Sequence, residues 1–286
     1  MIIADILLIV VVMVVLIIAS IIDLKIKEVP DWLNFALISI ALGIRLIHAI
    51  IFTEWSYFLY GLIGLGAMLA LGMVLFYTKQ WGGGDTKLLI GLGAVFGIAP
   101  YYSQTYLNLP FLLILLVNIL IVGAVYSLIW AFVLFLKKRK ETFEEMKILI
   151  KKKRLTRMIY SIIAILFLGF LYIYPESWLL FVLLSALLFV YPYIYIAIKS
   201  VENIGMLKFV SPSKLVEGDW VAEEIKIRGK MICGPRDWGI DKEQIKALKK
   251  AKIKKILIKD GVAFVPSILL GTLITLIWPN FIFLLF

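Results

Sequence analysis

The chain has 286 residues, 63% of them hydrophobic, and a net charge of +11. Soluble domains run nearer about 45–50% apolar, so the composition excludes a soluble globular class and points to a polytopic membrane protein. One cysteine, Cys233, allows no internal disulfide or cysteine metal cluster, and one histidine, His48, excludes any two-histidine zinc site.

Eight apolar spans follow in chain order: 2–22, 32–52, 57–77, 86–99, 110–136, 158–174, 178–198 and 262–283. Most are near the ~20 residues that cross the hydrocarbon. The first does not read as a cleavable signal peptide, because its only early charge is Asp5 and no small-residue cleavage site precedes the polar turn. The fourth is short. It reads as a re-entrant or buried helix, or as one continuing into the uncharged stretch 100–109. Between the fifth and sixth spans lies a basic loop, 137–157. Residues 201–260 alternate like short strands in "KLVEGDWVAEEIKIRGKMICG". They continue as a helix capped by Asp241 in "DKEQIKALKKA" and close with a strand in "IKKILIKDG". The expected fold is therefore all-α and polytopic, with about eight transmembrane helices and a small α+β cytoplasmic segment between the last two. The expected domains are a membrane core, 1–200, the α+β segment, 201–260, and a terminal helix, 261–286.

Orientation follows from Lys and Arg. The connections 23–31, 78–87, 137–157 and 199–260 hold two, two, ten and fifteen of the 30, and only Arg45 lies outside them. With eight spans and the N-terminus outside, all four connections share one side, which the positive-inside rule makes cytoplasmic. The basic excess thus reads as a topology determinant in contact with anionic membrane lipids, and no segment resembles a nucleic-acid-binding module.

Several chemistries are absent. There is no H-E-x-x-H and no G-x-S-type partner for His48, which reads as a surface polar residue near the outer end of span two. "GGGDTK" has the wrong spacing for a phosphate-binding loop. Cys233 reads as structural.

Two carboxylates stand apart. Asp23 ends span one in "IASIIDLKIKEVPDWLN", and Asp85 opens span four in "QWGGGDTKLLIG". Both fall at the cytoplasmic boundary. An acidic group at membrane depth is costly and has a task or a partner. Asp85 could serve as a helix N-cap, and Asp23 could mark a helix exit. The glycines 82, 83 and 84 exceed what a cap needs. Three in a row permit positive φ and the close approach of another backbone, which suits an extended peptide laid beside the loop. Two carboxylates within hydrogen-bond reach share one proton. The ionised one activates water against a peptide carbonyl, and the protonated one donates to the carbonyl oxygen and then to the leaving amine. The roles belong to the pair, not to either residue singly.

These residues carry a resemblance. Gly82-Gly83-Gly84-Asp85 fits G-x-G-D, and Asp23 followed by Val29-Pro30-Asp31 is similar to the end of the first helix of type IV prepilin peptidases. "LLIGLGAVFG" after Asp85 is also typical of them. The chain resembles an archaeal prepilin or preflagellin peptidase of the G-x-G-D aspartic class over residues 1–100, and more loosely a C-terminal extension of some archaeal members over 200–275.

The resemblance implies a membrane aspartic endopeptidase, without cofactor or metal, in which Asp23 and Asp85 are catalytic and Gly82, Gly83 and Gly84 form the active-site loop. Its partners would be pilin-like or archaellin precursors, whose short basic leader is cut at the cytoplasmic face of the cell membrane. The product N-methylation of bacterial relatives is not expected, since their paired cysteines are missing. Glu28 and Asp31 are candidate acceptors for the leader's positive charges, and Trp32 and Trp81 read as interfacial anchors. The competing readings are a non-catalytic precursor-binding assembly factor and an ion-coupled transporter using the same aspartates.

Overall fold

The computed structural model describes residues 3–78, 80–98, 109–227, 229–235, 237, 239–251 and 253–279. The chain divides into two compact units, Met1–Leu128 with Val262–Phe286, and Ile129–Gly261. Among the described residues six helices are long and apolar enough to cross a membrane: Ile3–Ile26, Asp31–Phe52, Trp55–Tyr77, Phe111–Lys137, Arg154–Tyr172 and Pro175–Met206. The spans anticipated at 86–99 and 262–283 are represented by shorter helices. The stretch 99–108 and the end of the chain past residue 279 lie outside the described residues.

The first unit contains α1 (Ile3–Ile26), α2 (Asp31–Phe52), α3 (Trp55–Tyr77), α4 (Gly83–Phe96), the first part of α5 (Phe111–Lys137) and α10 (Val265–Ile277). Helix α1 is apolar all round, so neighbour packing rather than amphipathicity selects its buried face. Leu8, Val12, Leu16 and Ala19 turn inward, while Leu7, Val10, Val14 and Ile17 stay exposed. The helix stops where Lys27 adopts a left-handed conformation (φ 56°), and extended Pro30 then caps the start of α2.

Helices α3 and α4 approach through glycine. A Cβ at Gly64 would collide with the carbonyl of Gly93, and one at Gly93 with that of Gly64. Small residues bring backbones together in this way where the surroundings offer no hydrophobic gain for larger ones. Helix α4 has 14 residues, about 21 Å, less than the ~30 Å of hydrocarbon. It is buried along most of its length, with Leu88, Leu89, Leu92, Ala94 and Phe96 inaccessible.

A helix ending this early leaves carbonyls to satisfy, and Arg45 of α2 meets them. Only 2% exposed, it donates from Nε to the Ala94 carbonyl (2.9 Å), from Nη2 to that of Val95 (2.7 Å) and from Nη1 to that of Tyr57 (2.8 Å). Its guanidinium lies 4.5 Å from the Tyr57 ring centre, and the Tyr57 hydroxyl donates to Asp5 Oδ1 at 2.7 Å. Glycines 61 and 97 make the room, since a Cβ at either would press on the Arg45 side chain. His48 belongs to the same interior. It is buried, packs against Phe52 and Tyr57, and lies 3.3 Å from Glu54 Oε2. This corrects the reading of His48 as a surface residue.

The second unit holds the remainder of α5, then α6 (Arg139–Lys152), α7 (Arg154–Gly169), α8 (Trp178–Val201), five short strands and α9 (Lys242–Lys250). Helices α7 and α8 pair through aromatic contacts such as Tyr160–Tyr191, 5.1 Å between centroids. The charge-dense connection 137–157 is not a loop over most of its length but the helix α6. Its Lys and Glu meet at helical spacing, as in Lys147–Glu144 at 2.8 Å, and Glu145 accepts from Asn203 at 2.7 Å.

Strands β1 (Leu207–Val210), β5 (Ile256–Lys259) and β2 (Trp220–Val221) form an antiparallel sheet in the order β1-β5-β2, and β3 (Ile225–Ile227) pairs with β4 (Lys230–Cys233). Helix α9 starts with a capping box. The Asp241 side chain accepts from the Gln244 N–H at 2.6 Å, and the Gln244 side chain accepts from the Asp241 N–H at 2.9 Å. A small core of Leu215, Val221, Cys233, Ile245, Leu248 and Ile258 closes the segment. Burial there pushes the Cys233 thiol up to about 11, so it stays protonated and inert at neutral pH.

Candidate active site

Asp23 stands in the last turn of α1, on the same face as Leu16 and Ala19, and is 5% exposed. A carboxylate so buried needs donors. It finds them at the start of α10, where the Val265 N–H donates to Oδ2 at 2.9 Å and the Phe264 main chain contributes as well. The first N–H groups of a helix have no partner within it, so Asp23 and the beginning of α10 satisfy one another.

Asp85 sits in the first turn of α4, half-buried. Its carboxyl folds back on the main chain of Gly82, which hydrogen-bonds to it, and a Cβ at Gly82 would lie 3.2 Å from its Oδ2. An acid in this turn also complements the helix dipole.

None of the three glycines before Asp85 adopts positive φ. Gly82 is the N-cap and Gly83 and Gly84 are helical, so the left-handed backbone anticipated from the sequence is not used. Close approach is what the positions require. Gly84 packs on Val29, where an added Cβ would fall 3.0 Å from the valine Cβ. That contact sets the start of α4 against the connection between α1 and α2.

Helices α1 and α4 pack together, and the charges of Asp23 and Asp85 act on one another. Tyr126 of α5 lies within the field of Asp23 as well. Asp23 and Asp85 thus stand on two packed helices, in the last turn of α1 and the first turn of α4. Among the described residues, no group of three or more His, Cys, Asp or Glu side chains is placed to hold a metal ion.

Residues 10–138 match the type IV leader peptidase family. That part of the chain belongs to this family. The leader peptidase segment contains both Asp23 and Asp85 and ends far short of Val265. No curated protein and no solved structure matches the chain.

The other residues singled out from the sequence divide. Glu28 is exposed on the connection between α1 and α2, and Asp31, the exposed first residue of α2, is ion-paired with Lys87 of α4. Trp32 is 64% exposed, in keeping with an interfacial anchor, whereas Trp81 is buried against Phe264 with ring centres 5.2 Å apart. Trp81 is therefore a packing residue of the site. Val265 and Phe264 had no local signature: nothing in "GVAFVPSILLG" marks a contact with residue 23.

Proposed function

We propose that the chain is a membrane endopeptidase that removes the short basic leader of type IV pilin-like or archaellin precursors, with Asp23 and Asp85 activating water. The observation that carries this reading is the packing of α1 against α4, with Asp23 in the last turn of one and Asp85 in the first turn of the other, inside the leader peptidase segment.

The ionised member of the pair takes a proton from water as the water oxygen bonds to the carbonyl carbon. The protonated member donates to the carbonyl oxygen. Collapse of the tetrahedral species breaks the C–N bond, the amine leaves with a proton from the pair, one hydroxyl of the tetrahedral carbon returns a proton to the pair as the C=O bond reforms, and a new carboxyl terminus remains. Hydrolysis needs only water as co-reactant, and the pair returns to its starting state.

Placement at the cytoplasmic face rests on charge. The connections that hold 29 of the 30 Lys and Arg share one side in an eight-span topology with α4 and α10 counted as spans. Asp23 and Asp85 lie on that side, where a leader preceding a hydrophobic helix presents its last peptide bond. Glu28 and Asp31 line the approach to Asp23 and receive the leader's positive charge, Asp31 exchanging Lys87 for a leader side chain. Incubation of the purified protein with a leader-bearing precursor tests the reading, with Asp23→Asn and Asp85→Asn as the comparison.

A further inference from the structure

The end of α1 and the loop preceding α4 are each met by one of two adjacent residues, Val265 and Phe264, which come from late in the chain. The Val265 N–H holds Asp23 Oδ2 across 242 residues of sequence. The adjacent Phe264 ring packs on Trp81, one residue before the glycines that lead to Asp85. Phe264 is wedged from behind by α5, because a Cβ at Gly123 would lie 2.5 Å from its Cζ. Val265 is fully buried, and Pro266 in the first turn has its own φ fixed at a helical value and lacks an N–H that would need a partner. Each feature has a local reason. Together they tie the end of α1 to the loop preceding α4 through one turn.

We propose that the Phe264–Val265 turn is a positioning clamp for the aspartate pair, so that the leader peptidase segment 10–138 is incomplete without the C-terminal helix. The inference rests on Asp23 and Asp85 being the catalytic pair. Val265 acts through its main-chain N–H, which fixes the direction of the Asp23 carboxylate. Phe264 acts through Trp81, which fixes the start of the glycine loop. Neither needs to touch the precursor, so they govern the chemical step and leave precursor binding alone.

The test is leader cleavage by the full chain in detergent or liposomes, with Val265→Pro, Val265→Ala and Phe264→Ala beside wild type. Val265→Pro removes the donor and Val265→Ala keeps it. The expected result is a kcat lowered about tenfold or more by Val265→Pro and by Phe264→Ala with KM unchanged, as displacement of reacting groups implies. Val265→Ala should stay near wild type. Equal kcat in Val265→Pro and wild type, or an equal loss in Val265→Ala and Val265→Pro, overturns the clamp. If Val265→Pro does not fold, amide hydrogen exchange decides: faster exchange at Val265 in Asp23→Ala supports the contact, and unchanged exchange overturns it. Activity surviving in Asp23→Asn and Asp85→Asn would instead remove the peptidase assignment of the pair, which separates the two failures.

Discussion

Arg45 donates to the carbonyl of Val95 at 2.7 Å, and to that of Ala94 at 2.9 Å, from the second half of α2. This relationship lets the helix carrying Asp85 be only 14 residues long. Its exposed-carbonyl end is closed by a buried cation instead of by water, and its other end is left at the rim with the acid in its first turn. The cation is in turn faced by the Tyr57 ring, whose hydroxyl reaches Asp5.

Arg45→Met should therefore destabilise the protein by about 3 kcal/mol or more, because each carbonyl left unsatisfied costs about 1–3 kcal/mol. Thermal unfolding in detergent measures it. Arg45→Lys should recover part of the loss, since an ammonium can serve only some of the three carbonyls in place of the planar fork. A wild-type melting temperature in Arg45→Met would contradict the assigned role.

Gly64→Ala and Gly93→Ala should each cost about 1–3 kcal/mol, the usual penalty of overpacking, because the obstructing atom in each case belongs to the opposite backbone. Gly66→Ala, where an added Cβ meets nothing within 4 Å, should be neutral or slightly stabilising. The three melting temperatures, compared in one detergent, check the pattern.

Asn34 is 1% exposed, and neither its Oδ1 nor its Nδ2 has a hydrogen-bond partner among the described residues. It lies on α2 between the Asp31–Lys87 ion pair and the contact of Leu37 with Gly91, one turn in from the rim. Asn34→Leu, which keeps the branching and the number of side-chain heavy atoms, should raise the melting temperature, since burying an unpaired amide costs about 1–3 kcal/mol. A lower melting temperature would show that the amide has a partner that matters to the fold.

Much of the membrane unit was legible beforehand. The runs 2–22, 32–52 and 57–77 lie within one to four residues of α1, α2 and α3, because a long apolar run bounded by charge, Pro or Thr leaves few alternatives. The Asp241 cap was legible too, since its capping box is local in sequence. What failed to show were residues defined by non-local packing. Arg45 and His48 near a span end look like rim residues, and their burial follows from the early end of α4 and the gaps at Gly61 and Gly97. The charge run at 137–157 looks like a solvated loop because its charges dominate composition, yet their spacing is helical. The Asp23–Val265 bond uses a main-chain donor, which no side chain advertises.

Charge reversal at Glu28 and Asp31 together should raise the KM for a basic leader at least severalfold while leaving kcat within about twofold, because removing attraction for a charged ligand weakens binding without touching the reacting groups. The effect should shrink as salt rises. Steady-state cleavage at two ionic strengths measures it, and unchanged cleavage would retire both residues as leader acceptors.

The most direct measurement is cleavage of a leader-bearing pilin-like precursor by wild type, Asp23→Asn and Asp85→Asn at matched folded concentration. Amide for acid preserves shape and removes the proton-handling group. Wild type is expected to release the leader, with each variant slower by at least about a hundredfold, the scale of a lost general acid or base. Full-speed cleavage by either variant would contradict the joint action of Asp23 and Asp85 on water.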